Sequence, residues 1–162
     1  MKGIPLRITE ATLRQNAKIR SCIHDPRNDC LELGKISWDN LPNATFLHVR
    51  FDGCLCQELP QKRCDCIIFR FDSCNSRPTM YVIETKEGNP DLSDVQCKIQ
   101  YCVDSMKDIL EGTENRFRTV PVLCASSFHG LDHRAFLGYR VMILGKKTII
   151  QNRFHHEDLN EL

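Results

Sequence analysis

Apolar residues recur at steps of three and four from Val95 through Ile99, Cys102 and Met106 to Ile109, the spacing that gathers them on one face of an amphipathic helix ending near Gly112. Upstream of it, residues 79–86 (TMYVIETK) are β-branched and aromatic and read as a strand, stopped by Glu87-Gly88-Asn89-Pro90-Asp91. Two earlier runs also have strand character: residues 45–51 alternate in part, and residues 64–71 are richer in apolar side chains. The turn residues of 72–78 (DSCNSRP) join the second run to the third, which predicts an antiparallel hairpin or meander. Few helix breakers interrupt residues 9–23, so a helix is expected there with Thr9 as its N-cap. Residues 24–43 are irregular, with Trp38 expected to anchor them on the core. Past the amphipathic helix, residues 117–126 (with VPVLCA) and a hairpin over 139–150 turning at Gly145-Lys146 predict further strands. The resulting order is helix, three strands, helix, then more strands, an α/β chain.

Composition narrows the setting. At 162 residues the chain fits one domain, drawn over 1–154, with 155–162 (HHEDLNEL) as a tail or short terminal helix. No apolar run reaches the roughly 18 residues that span a bilayer, and the first residues lack the long apolar region of a secretory signal. The expectation is a cytoplasmic protein without membrane contact, whose ten cysteines are mostly free thiols in the core. The net charge of +1 lacks the basic excess of a high-affinity nucleic-acid binder, although metal-binding carboxylates offset basic residues in that sum.

Side chains two apart in a strand share a face, so Glu84 and Lys86 project together while Ile83 and Thr85 point the other way. Asp65 interrupts the apolar run CDCIIF, and the hairpin geometry can bring its carboxylate beside that of Glu84. Burying carboxylates in such runs is costly without a compensating cation. Hard divalent cations such as Mg2+ prefer oxygen ligands of this kind. Such a cation polarises a phosphodiester and lowers the pKa of a bound water, and a neighbouring lysine orients that water or stabilises developing charge.

Arg63-Cys64-Asp65-Cys66-Ile67-Ile68-Phe69, followed by Tyr81-Val82-Ile83-Glu84-Thr85-Lys86 and a glutamine-bearing helix, resembles the PD-(D/E)XK nuclease superfamily over about residues 51–110, with Cys64 in the place of the motif's proline. The resemblance implies a restriction-endonuclease-like fold, a central mixed sheet flanked by helices, and a Mg2+-dependent active site in which Mn2+ can substitute. Within it Asp65, Glu84 and the Thr85 carbonyl are the expected metal ligands, and Lys86 assists the attacking water. Members often add a glutamine from the following helix, which nominates Gln96 or, preferably, Gln100, and a further acid, which nominates Glu10, Asp52 or Glu58. The expected function is metal-dependent hydrolysis of nucleic-acid phosphodiesters, most of all DNA, by a homodimer or with a partner protein. The alternative is a fold-retaining binding or assembly module without turnover, or a zinc-stabilised interaction domain.

Other constellations compete less well. Cys54, Cys56, Cys64 and Cys66 form two CxC pairs that could hold zinc, but core packing suits them better, with Cys64 and Cys66 both facing away from Asp65. His129, His133, His155 and His156 fall on no recognisable ligand spacing, and Cys124 lacks a nucleophile turn. Arg116, Arg118, Arg134, Arg140, Lys146, Lys147 and Arg153 are candidates for phosphate contacts or plain solvated charge.

Overall fold

The computed structural model describes residues 8–23, 43–56, 63–73, 77–125 and 138–154. Three antiparallel strands open the sheet: β1 (Ala44–Arg50), β2 (Cys66–Asp72) and β3 (Thr79–Lys86). Helix α3 (Leu92–Ile109) then carries the chain to β4 (Arg118–Ala125), which lies parallel to β3. A second hairpin, β5 (Arg140–Ile143) with β6 (Lys146–Ile149), precedes β7 (Gln151–Phe154). The main sheet is mixed and five-stranded in the order β1-β2-β3-β4-β7. The meander, the long helix and the later strands follow the hydrophobic pattern of the sequence; β7 is an addition to it.

Alternation divides the sheet's two faces. Val49, Ile67, Phe69, Met80 and Val82 form one core with Val95, Ile99, Cys102 and Met106 of α3. Ile68, Tyr81, Ile83, Val120 and Val122 pack on the opposite face. The helix starts where Asp91 accepts hydrogen bonds from the Ser93 and Asp94 amides, an N-cap that follows directly on the strand-stopping turn.

Two boundaries differ from the sequence expectation. The first helix is two short ones, α1 (Glu10–Gln15) and α2 (Ala17–Arg20), because Asn16 takes an extended conformation and its side chain caps α2 through the Lys18 and Ile19 amides. Asparagine competes with the helix for backbone groups in just this way. The β5–β6 turn is centred on Leu144-Gly145, one residue earlier than expected, with φ of 49° and 76°. A two-residue hairpin with both central residues at positive φ matches the twist of its strands, and the glycine makes that conformation accessible at the second position.

The free-thiol expectation holds for part of the set: among the described residues Cys56, Cys64, Cys102 and Cys124 are reduced and buried and Cys97 is reduced and exposed, but three cysteines are oxidised. Cys22 and Cys54 form a disulfide, and Cys66 is disulfide-bonded as well. The Arg50 amide donates to the Cys22 carbonyl, and Ile23 bridges Val49, so the segment after α2 is stitched to the end of β1 and its cysteine reaches the following loop. Among the described residues, no helix is long and apolar enough to cross a membrane. Trp38 and the 155–162 tail lie outside the described residues.

Candidate active site

Glu84 sits near the end of β3, a strand with neighbours on both sides, and is only 1% exposed. The β2–β3 register pairs Cys66 with Ile83, and continuing it by one residue sets Asp65 opposite Glu84. The Asp65 amide donates to the Ile83 carbonyl at 3.1 Å. Alternation breaks at this bend. Cys64 joins the core under α3, where its amide donates to Cys102 Sγ at 2.9 Å, whereas Cys66 packs on the opposite face. The two cysteines therefore do not share a side, contrary to expectation. Asp65 Oδ2 accepts two hydrogen bonds of 2.6 Å from Thr85, one from its amide and one from its hydroxyl.

Glu84 Oε1 carries two ammonium groups: Lys86 Nζ at 2.9 Å from the same strand face, and Lys98 Nζ at 3.0 Å from α3. Asp94 Oδ2 lies 3.4 Å from each of those nitrogens. The other oxygen, Glu84 Oε2, is buried without a hydrogen-bond partner. Burial pushes the Glu84 carboxyl up from its ordinary 4.5, and the Asp65 charge adds to the push against the opposing lysines. For Lys98, burial pulls the other way, but its hydrogen bond to Glu84 Oε1 and the charges of Glu84 and Asp94 hold it more firmly protonated than usual.

The raised Glu84 value sets a pH dependence. The fold favours the protonated carboxyl, so that contribution is complete below the unfolded value of 4.5 and is lost as pH rises through the folded one. In metal-free buffer the wild type should therefore lose stability relative to Glu84→Gln as pH climbs from 4.5 towards neutrality. Urea midpoints measured across that range check it; a constant difference between the two proteins contradicts it.

Lys98 and Asp94 were not nominated from the sequence. Their signal was there, as an acid and a base four apart flanking the apolar face of the helix at the strand's end. Gln96 and Gln100, by contrast, lie roughly 200° around α3 from Asp94 and Lys98. Gln96 Nε2 donates to the Arg140 carbonyl, while Gln100 accepts from the Met142 amide at 2.6 Å and donates to its carbonyl at 3.1 Å. Gln100 is thus a clamp on β5 and is not brought to Glu84. Gln100→Ala should lower stability by about 1–2 kcal/mol, the worth of such exposed hydrogen bonds, read as a fall in the urea midpoint.

Of the candidate extra acids, the two among the described residues are engaged elsewhere. Glu10 is paired with Arg14 and lines a cavity of about 390 Å³ at the other end of the sheet, with Asn43, Phe71 and Pro78. Asp52 pairs with Arg63 at 3.0 Å, and Glu58 lies outside the described residues. The four-thiolate zinc site is overturned: Cys54 is bonded to Cys22 and Cys66 is oxidised, so two of the four thiolates are not available. Cys124 is buried in the second core. Arg118 pairs with Thr79, five residues or roughly 17 Å along the strand from Glu84, so it and Arg116 lie at the far end. Arg140, Lys146 and Lys147 are exposed on the second hairpin. The four histidines nominated near the C-terminus and Arg134 fall outside the described residues, as does the Arg153 side chain.

Among the described residues, no group of three or more His, Cys, Asp or Glu side chains gathers in metal-binding geometry. Two carboxylates and a backbone carbonyl suit Mg2+ rather than a full protein cage, because this ion keeps several of its waters. The orphaned Glu84 Oε2 fits a cation for the same reason that it lacks a protein donor: a buried carboxylate oxygen needs a positive or donating partner. No protein-family model matches this chain, and no curated protein or solved structure matches it either.

Proposed function

We propose that the protein is a Mg2+-dependent nuclease of the restriction-endonuclease-like class, hydrolysing phosphodiester bonds of nucleic acid, with DNA the favoured substrate. The observation that carries this is the buried, unpartnered Glu84 Oε2 opposite Asp65, on the strand face that also projects Lys86. The order of meander, helix and parallel strand supports the fold assignment.

Asp65, Glu84 and the Thr85 carbonyl would hold the ion. When bound, Mg2+ supplies polarisation of the phosphodiester and a lowered pKa for water. Thr85 fixes Asp65 through its two hydrogen bonds, so one carboxylate is oriented before any ligand arrives. Lys86, about a quarter exposed, can reach a phosphate or an attacking water while anchored on Glu84. The three carboxylates and two lysines leave the cluster with a single net negative charge, which a divalent cation reverses in favour of a phosphate ligand.

One observation favours the second reading, a binding or assembly module without turnover: both lysines are already spent on Glu84 Oε1, which closes the metal-free cluster on itself. The deciding experiment is a panel of labelled duplex, single-stranded and branched DNA and of RNA, each with Mg2+ or Mn2+. Cleavage by the wild type that is lost in Asp65→Ala and Glu84→Ala supports the nuclease. Equal behaviour of all three proteins removes it, and binding without cleavage selects the module.

A further inference from the structure

Lys98 has no task in the chemistry above. Lys86 already neutralises Glu84 from the same strand, yet α3 delivers a second ammonium to the same oxygen. Two like charges converging on Oε1, while Oε2 has no partner, is an uneven arrangement for an ion pair that serves stability alone. Lys98 is also the less exposed of the two, at 17% against 27% of the side chain, and Asp94 four residues earlier steadies it at 3.4 Å. The helix thus brings a positive charge to Glu84 Oε1 in the metal-free protein.

Resting on the cation reading of this site, we propose that Lys98 is a positioning residue acting as a built-in counter-ion. It holds Glu84 in place without metal and sets the divalent-cation concentration at which the ion takes Glu84 over. A cation entering at Asp65 and Glu84 meets the repulsion of this ammonium and must outcompete it; the released Nζ keeps Asp94 as a partner. The site is thereby tuned to a threshold of free cation rather than to maximal affinity.

The test measures Mn2+ binding by calorimetry, and melting temperature with and without Mg2+, on the full chain. Lys98→Gln removes the charge and keeps a donor for Oε1; Lys98→Met is the second variant, in case the first folds poorly. Either should bind Mn2+ about tenfold more tightly than the wild type and show a larger Mg2+-dependent rise in melting temperature, while Lys98→Arg behaves as the wild type. Adding Asp65→Asn should abolish binding in both backgrounds. A merely structural Lys98 would lower the melting temperature alike with and without Mg2+ and leave Mn2+ affinity unchanged, which overturns the inference but leaves the cation site standing. Weaker binding in the neutral variants also overturns it. Absence of binding in the wild type and in every variant instead removes the cation reading itself.

Discussion

Under the proposed nuclease function, Asp65→Ala and Glu84→Ala should each lower Mg2+-dependent cleavage roughly a thousandfold or more, about 4 kcal/mol of barrier. Each change removes one of the two carboxylates proposed to fix the ion. The alanine variants also disturb their surroundings. Without Asp65, the Thr85 amide and hydroxyl lose the acceptor they share, at a cost of about 1–3 kcal/mol in stability. Without Glu84, two ammonium groups face each other, each 3.4 Å from Asp94. Asp65→Asn and Glu84→Gln separate the effects, since they keep an acceptor for Thr85 or the lysines while removing the charge that a cation requires. Single-turnover cleavage with Mg2+ in excess, alongside melting curves, is the measurement. Loss of cleavage with folding retained in the amide variants locates the chemistry at these carboxylates. Wild-type rates in Asp65→Asn would remove Asp65 from the mechanism.

The parts of the site that were legible in the sequence are those set by strand periodicity. Glu84 and Lys86 had to share a face, and the turn between the second and third strands placed Asp65 near them; both follow from a two-residue repeat and a short connection. Residues supplied by α3 were harder to read. The apolar stripe of Val95, Ile99, Cys102 and Met106 fixes which face of the helix is buried, but it does not say which flank turns towards the strand ends. Asp94 and Lys98 lie on one flank, beside Glu84, and Gln96 and Gln100 lie on the other, against β5. The side was decided by β5, whose backbone at Arg140 and Met142 occupies the glutamine flank, a contact more than forty residues away in sequence. Likewise, the Cys64-Asp65-Cys66 alternation fails because Asp65 sits in a bend held by Thr85, and no local pattern announces it.

Replacing both Cys22 and Cys54 by alanine should destabilise the oxidised protein by about 3–4 kcal/mol. That is the loop-closure contribution expected for cysteines 32 residues apart. The bond closes a segment that returns to the sheet at β1, where the Arg50 amide and the Ile23–Val49 bridge are the other ties described there. It also braces the loop after β1, at the same end of the sheet as Asp65. In that loop the Cys56 carbonyl accepts from Arg63 at 2.7 Å, and the Cys56 thiol lies 3.6 Å from the Tyr101 hydroxyl of α3. Arg63 immediately precedes the Cys64–Asp65 bend, so slack in the loop reaches the carboxylate through two residues of chain. Urea unfolding of the wild type and the double variant, each with and without reductant, measures the effect. The gap between them should close under reductant, and any further fall common to both reports the separate bond at Cys66. A double variant as stable as the oxidised wild type would mean that this cross-link contributes nothing to the fold. A stability loss of the expected size with Mn2+ affinity intact would confine the brace to the loop, whereas a parallel loss of affinity would show that the position of Asp65 depends on it.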